Sequence, residues 1–484
     1  MVPTAFPLPR AMLPKLSDRP ETVEPAKRMM KRLLEHTLRQ FEELTYARNG
    51  VVNTTQWKAL AKTQAAMNGQ NDDQVTVYSE RECGATSTDL AYTLQTGIAT
   101  SDSTLAALTP SAVLVTGRAP GKVENIMYAL GGAHTQAGLA LFAGVMYDDI
   151  ADCGVLQALE TDAGEDDNSC RFLGYKYVVK RSVASSAKLM RHRDLVYLES
   201  TGYTQSSSGE RLGFHIEHSV DVPGFPDLHS RNSSRVLQSV RYLFRQKSER
   251  IMDVYMLGNL ELAGVLNVSG VGVGGSNGAG GGDIFSIAEL QHCAETRRLT
   301  LMVQHRRESI ELLQKSSNRH NTECHLCHRT KRFFSGAMLA ECDVCGQFVC
   351  SKCRNDKKLL VRDATTNGLV GKFQRAQTCK TCVLSASAGY APPPMHMSVS
   401  QLVARNQGHD KAGSVGSGCM SGRRYSSSSS SRASSLGERS DASVCSRTES
   451  EFHTYRQGPV YTFTGEGEED IKDSSQTTPR PTAT

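Results

Sequence analysis

The sequence predicts an α+β chain: a curled, largely antiparallel sheet, a long helix after it, and a small cysteine-rich module built around two metal ions. Three observations carry that reading. Short β-rich runs recur between turn signals from about residue 53 to 283. A pattern of helical period follows at 284–315. The stretch from Cys324 to Cys382 then gathers eight of the fourteen cysteines into four CxxC pairs.

The pairs are Cys324/Cys327, Cys342/Cys345, Cys350/Cys353 and Cys379/Cys382, with gaps of fourteen, four and twenty-five residues between them. Each pair presents two thiolates to one tetrahedral ion, so eight sulfurs saturate two Zn2+ and leave no position for water. Such sites are structural rather than catalytic. The four-residue gap sets the second and third pairs too close for separate fingers. In a cross-braced module the first and third pairs share one zinc (Cys324, Cys327, Cys350, Cys353), and the second and fourth share the other (Cys342, Cys345, Cys379, Cys382). The competing reading is a disulfide framework. Against it, prolines interrupt the N-terminal MVPTAFPLPRAMLPK where a secretory signal needs a continuous apolar run, and CxxC neighbours suit a metal better than a bridge.

Composition sets the outer bounds. At 484 residues the chain has room for two or three domains. Its 39% apolar content falls below the roughly 45–50% of globular chains, which predicts an unfolded fraction beside an ordinary core. A formal net charge of +5 makes no global case for nucleic acid or membrane. No apolar run reaches the length of a bilayer span, so a cytoplasmic protein is expected.

Taken in order, residues 1–20 are proline-rich and read as an extended arm. Pro25 then opens a helix in which Met30, Leu33, Leu34, Leu38, Phe41 and Leu44 recur at helical spacing. Strands are expected at Val75–Tyr78, Ala112–Thr116, Phe172–Val179, Leu195–Leu198, Leu212–Val220, Val236–Phe244 and Ile251–Leu257, with few helices between them beyond a short one at Val123–Leu130. Val240, Tyr242 and Phe244 alternate with Ser239, Arg241 and Leu243, the period of a half-buried strand. Residues 268–282 satisfy GxGxxG at Gly270, Gly272 and Gly275, but glycines keep accumulating with no strand–turn–helix unit, so they read as a flexible loop. Asp283 is a fit N-cap for the 284–315 helix, which can close the open mouth of the sheet. Its Arg297, Arg298, Arg306 and Arg307 read as a solvated face. Residues 386–484, with six consecutive serines among arginines and an acidic GEGEED, cannot bury enough apolar surface to fold. They read as a disordered tail open to phosphorylation.

The cysteine module, with CxxC-x4-CxxC at its centre, resembles the FYVE-type family of phosphoinositide-reading zinc fingers. RING and PHD fingers place a histidine among the middle ligands, whereas both middle pairs here are all cysteine. Members that bind phosphatidylinositol 3-phosphate carry WxxD before the first pair and an RRHHCR-like run around the third cysteine. Here the one tryptophan is Trp57, and Glu341 and Asp343 flank Cys342. Upstream, RDLVYLESTGYT (193–204), GERLGFHIEHSVDVPGFPDL (209–228) and VRYLFRQKSERIMDVYMLGNL (240–260) resemble START-like domains of oomycete proteins that join this domain to a FYVE-type finger. The resemblance covers roughly residues 20–385. It implies a helix-grip fold, a sheet curled around a long C-terminal helix, with a cavity for a lipid or another hydrophobic ligand. It divides the chain into an arm (1–20), a START-like domain (21–318), the finger (319–385) and the tail (386–484).

No reaction is expected. His215, Glu217 and His218 form HIEH, but on a strand His215 and Glu217 share one face while His218 takes the other. This is not the helical geometry of HExxH, and a half-exposed strand edge is the plainer reading. GxSxG is absent, and Cys83, Cys153, Cys170 and Cys293 read as core fillers. Membrane contact has more support. Between Cys324 and Cys382, eleven Lys and Arg face four acids, and Lys331 and Arg332 adjoin Phe333 and Phe334, a group suited to dipping into an anionic interface unless one ring fills the core between the zincs. Nucleic acid is disfavoured for want of a groove-reading helix. The expectation is a non-enzymatic, lipid-associated adaptor in the cytoplasm, peripheral on endosomal or other anionic membranes. The competing expectation is an interaction scaffold whose finger binds a protein such as a small GTPase without reading phosphoinositides.

Overall fold

The computed structural model describes residues 6–16, 20–64, 74–81, 85–95, 102–109, 112–147, 149–161, 170–181, 191–260, 287–313, 323–330, 339–361 and 372–389. The glycine-rich run, Lys331–Phe334 and the tail beyond 389 lie outside them.

The body is a ten-stranded sheet made of β1 (Trp57–Gln64), β2 (Gln74–Glu80), β3 (Ala112–Pro120), β4 (Ile150–Thr161), β5 (Phe172–Lys180), β6 (His192–Gln205), β7 (Arg211–Ser219), β8 (Ser233–Arg235), β9 (Gln238–Gln246) and β10 (Ile251–Leu260). Its order is β1-β2-β3-β10-β9-β7-β6-β5-β4, antiparallel throughout, with β8 added in parallel to the start of β6. All seven expected strands are present, along with β1, β4 and β8. Helices are more numerous between strands than expected. Ahead of β1 runs α1 (Pro20–Glu42), α2 (Ala85–Gln95) and α3 (Asp102–Ala106) precede β3, and α4 (Val123–Gly131) and α5 (Gln136–Met146) precede β4. The sequence QAGLALFAGVM of α5 is apolar on every side, so it shows no amphipathic stripe to betray it. α1 starts at Pro20, not Pro25. A proline preset for the first turn begins the helix, and Pro25 inside it costs a single backbone hydrogen bond near the end.

Period two splits the sheet into two buried faces, so β9 is not half-exposed. On one face Val113, Val115, Val240, Tyr242, Phe244, Val254 and Met256 pack against Ile126, Met127 and Leu130 of α4 and Leu139 and Phe142 of α5. On the other, Leu114, Leu212, Ile216, Leu243, Tyr255 and Leu257 pack against Met30, Leu33 and Phe41 of α1 and Leu90 and Leu94 of α2. Burying each of these larger side chains contributes about 1.5–3 kcal/mol. The N-terminal arm is extended around a short turn at Arg10–Met12 but is not free. Phe6 and Leu8 are buried against Tyr177, Val179 and Val196, and the Leu8 amide donates to Asp152 Oδ2 at 2.7 Å.

The long helix α6 (Ile287–Leu313) serves two cores in succession. Leu290, Cys293 and Ala294 enter the α4–α5 face of the sheet. About one to three turns on, Leu299 and Val303 join Leu359, Ala376 and Ala386 of the cysteine module. That module comprises the hairpins β11 (Leu339–Glu341)–β12 (Phe348–Cys350) and β13 (Arg354–Val361)–β14 (Lys372–Cys379), closed by α7 (Lys380–Ser387). Of the four arginines of α6 expected to face solvent, Arg307 is exposed, but the other three are engaged. Arg297 donates to Tyr128 O, Arg298 donates to Ala386 O and Asn125 Oδ1 (both 2.9 Å), and Arg306 reaches the module. Each supplies hydrogens to carbonyls left over at turns and helix ends, a use that a charge run in sequence does not reveal.

Candidate metal centres and a buried polar cluster

Eight thiols converge in two groups of four, Cys324/Cys327/Cys350/Cys353 and Cys342/Cys345/Cys379/Cys382, each with all four sulfurs within 4.8 Å of one another. Local backbone makes this possible. The first CxxC closes on hydrogen bonds from His328 N to Cys324 O (2.8 Å) and from Cys324 N to Arg329 O (2.9 Å). The second closes from Gly346 N to Cys342 O (2.8 Å), with Gly346 at φ 76°, a left-handed turn that favours glycine. The hairpins then deliver the partner pairs. Cys350 ends β12 opposite Leu339, and Cys379 ends β14 opposite Arg354. Amides already point at the sulfurs, Cys350 N to Cys324 Sγ (3.3 Å) and Cys379 N to Cys342 Sγ (3.2 Å). Burial opposes ionisation of Cys324, yet the amide donors bring its thiol down to about 6. Hydrogen bonding from Cys345 and Cys382 holds Cys342 far below the usual thiol range. Four cysteine sulfurs gathered at such spacing are a tetrahedral soft-ligand set, so the two clusters can bind two zinc ions.

The module is fastened to the body. Arg306 donates to the Cys342 and Asp343 carbonyls (3.2 and 3.3 Å) and pairs with Glu341, while Gln377 N donates to Asp343 Oδ2 (2.6 Å). Lys357 pairs with Glu295 at 2.5 Å, and the Phe373 ring lies so close to α5 that a Cβ on Gly144 would meet it at 2.4 Å.

A second gathering lies on the α4–α5 face of the sheet. Lys176 Nζ and Glu199 Oε1 are 2.6 Å apart, with side chains only 0% and 3% exposed. Thr201 Oγ1 bridges Glu199 Oε1 (3.4 Å) and His215 Nδ1 (2.9 Å). His215 Nε2 meets Glu217 Oε1 at 3.1 Å, and Gln238 Nε2 donates to Glu217 Oε2 at 3.0 Å. Register explains the group: Glu199 pairs with Glu217, and Thr201 with His215, across β6 and β7. Two carboxylates directly opposed would repel, and the Lys176 ammonium and the imidazole between Thr201 and Glu217 relieve that. Glu199, His215 and Glu217 offer ligand atoms within 4.8 Å of one another. The ammonium already on Glu199 argues for a hydrogen-bonded network over a metal site.

HIEH is therefore no strand edge. β7 is paired on both sides, by β6 and β9, and all four residues are buried. The division of faces holds, with His215 and Glu217 in the network and His218 on the α1 side. Sequence reasoning missed Lys176, Glu199, Thr201 and Gln238. Their signal is a charged or polar residue at an inward position of a strand, as in FLGYKYVV and LVYLEST. Cys153, Cys170 and Cys293 are buried, and burial pushes the Cys153 and Cys293 thiols up to about 12. Among the described residues no helix is long and apolar enough to cross a membrane.

No family model matches the sequence, and no curated protein matches it. Among solved structures the chain is similar to human StAR-related lipid transfer protein 5, with 12% identity, 49% of this chain and 81% of that one covered, and a TM-score of 0.27. It is also similar to a STAR-related lipid transfer protein from Xanthomonas axonopodis, with 13% identity, 42% and 84% covered, and a TM-score of 0.23.

Proposed function

We propose that the chain is a non-enzymatic, lipid-associated adaptor. In this reading residues 21–318 form a START-like helix-grip domain holding one hydrophobic ligand, and residues 319–385 form a FYVE-related finger that docks on an anionic membrane or a protein. The observation that carries the reading is the Lys176–Glu199–Thr201–His215–Glu217 network, set among the valines and aromatics of the sheet face under α4 and α5. An amphiphile asks for that pairing, apolar walls for its chain and fixed donors and acceptors for its polar end. The protein would act in the cytoplasm, peripheral on endosomal or other anionic membranes.

The scaffold reading, with a partner such as a small GTPase, draws support from the third cysteine. Glu341 is paired with Arg306 and Asp343 accepts from Gln377 N, so acids tied into the fold occupy the stretch where a 3-phosphate reader carries its basic run. Flotation of the full chain on vesicles of anionic lipid separates the two. The adaptor reading expects flotation that falls sharply in Phe333→Ala/Phe334→Ala. Absence of flotation by the parent chain would sink its membrane half and leave the scaffold.

A further inference from the structure

The α1 side of the sheet buries a positive charge that has no negative partner. Arg241 of β9 is 0% exposed. Its Nε donates to Leu257 O (3.1 Å) and its NH2 to Asn259 Oδ1 (3.0 Å), both uncharged acceptors, while NH1 makes no hydrogen bond. Burial brings the guanidinium down to about 10, so it remains a cation at neutral pH. Among the described residues it has no ion-pair partner. Glu80 of β2 is engaged with Thr86 and lies three strands away, about 14 Å at the usual strand spacing. An uncompensated charge in such a place costs several kcal/mol.

Two imidazoles face the same place with unsatisfied nitrogens. His218 of β7 pairs with Ser239, and Ile216 pairs with Arg241, so His218 and Arg241 are diagonal neighbours on one sheet face. His218 Nδ1 is held by Ser239 Oγ (2.8 Å), which leaves Nε2 without a partner. His36 of α1, the helix laid over β7 and β9, is held by Asp89 Oδ2 through Nε2 (3.2 Å), which leaves Nδ1 without one. Both rings are 0% exposed, and the field of Arg241 acts on each. Two unpartnered donors, one nitrogen of Arg241 and His218 Nε2, thus lie on neighbouring strands of one sheet face whose apolar cluster includes Leu33, Ile216, Leu243 and Leu257, while His36 Nδ1 beside them is left as an acceptor.

We propose that Arg241 and His218 form a buried site for a small, weakly hydrated anion of the halide class, chloride. An anion there answers the guanidinium charge and accepts from Arg241 NH1 and His218 Nε2. Phosphate is a poor fit, because the described donors are one guanidinium nitrogen and one imidazole nitrogen, too few for its four oxygens. The site lies on the face opposite the Lys176–Glu199 network and is independent of any lipid.

The test is thermal unfolding of the zinc-replete full chain in sodium chloride against sodium gluconate at fixed ionic strength, repeated on Arg241→Gln. The expected result is a saturable rise of Tm with chloride that Arg241→Gln abolishes. Equal Tm in the two salts, or an unchanged chloride response in the variant, overturns the proposal. Should Arg241→Gln fail to fold, crystals of the parent chain grown in bromide decide. An anomalous peak between Arg241 NH1 and His218 Nε2 upholds the site, and density there without anomalous signal, an ordered water, refutes it.

Discussion

The sheet and the cysteine module share α6 but draw on different sources of stability. Two extensive apolar clusters cover the sheet faces. Between its hairpins the module has a cluster of Val349 and four buried cysteines, with partly buried neighbours. A body of the first kind folds by withdrawing area from water. The second has too little area to withdraw, and the two ions that its cysteine clusters can bind would join its distant pairs. One helix joins the two cores, because Leu299 and Val303 pack on the module about one to three turns beyond Cys293 and Ala294 in the sheet core.

The largest expected effect is that of metal removal. A structural zinc contributes on the order of 10–16 kcal/mol in small fingers, so chelation should unfold the module while the sheet persists. Hydrogen exchange should rise across 323–389 and in α6 beyond Leu299, and stay low in β9 and β10. Uniform protection after chelation would contradict the division. Within the sheet, Lys176→Met leaves Glu199 buried without its cation and should cost about 3–5 kcal/mol. Adding Glu199→Gln should restore much of it, and denaturant titration of the single and double variants reads the coupling.

These two predictions mark what was legible in the sequence. Each CxxC was legible because two-residue spacing is local geometry, and the hairpins β11–β12 and β13–β14 then gather the pairs into two groups of four. The Lys176 network was not legible, because it depends on the register of β5, β6, β7 and β9, which no single segment states. The missed long strands, β1 and β4, are the two edges of the sheet. β1 carries Lys58 and Lys62, and β4 shifts register at three places, so the alternation that marks interior strands is blurred in both. For α6 the amphipathic pattern located the helix, yet only its neighbours reveal that its arginines bind carbonyls.

Phe373→Ala tests the seam itself. The ring is half-buried, so the loss should fall below the roughly 3–5 kcal/mol of a fully buried phenylalanine. It should appear as faster exchange in α5 and β14 with zinc content unchanged. Acid should separate the regions by a different route. Burial lowers His134 to about 2 and His218 to about 3 from an ordinary 6.5. Depressed imidazoles add stability above pH 6.5 that is lost as pH falls toward those values, because the unfolded chain takes up protons the folded chain refuses. The loss is up to about 1.4 kcal/mol per pH unit for each ring. His134→Gln should flatten the decline of Tm between pH 6.5 and 4 if the ring is buried neutral. The smallest effect belongs to Arg375→Ala, whose side chain is 76% exposed in its pair with Asp356. It should change stability by no more than about 1 kcal/mol.

In the proposed function a lipid-holding sheet body is joined to a two-zinc finger. Native mass spectrometry of the full chain, exposed to a total lipid extract and sprayed under gentle and then harsh activation, tests it most directly. The expected spectrum shows two zinc ions that survive activation and an additional mass of lipid size that leaves with it, diminished in Lys176→Met. Two zinc ions with no such mass, in every lipid mixture tried, would contradict it.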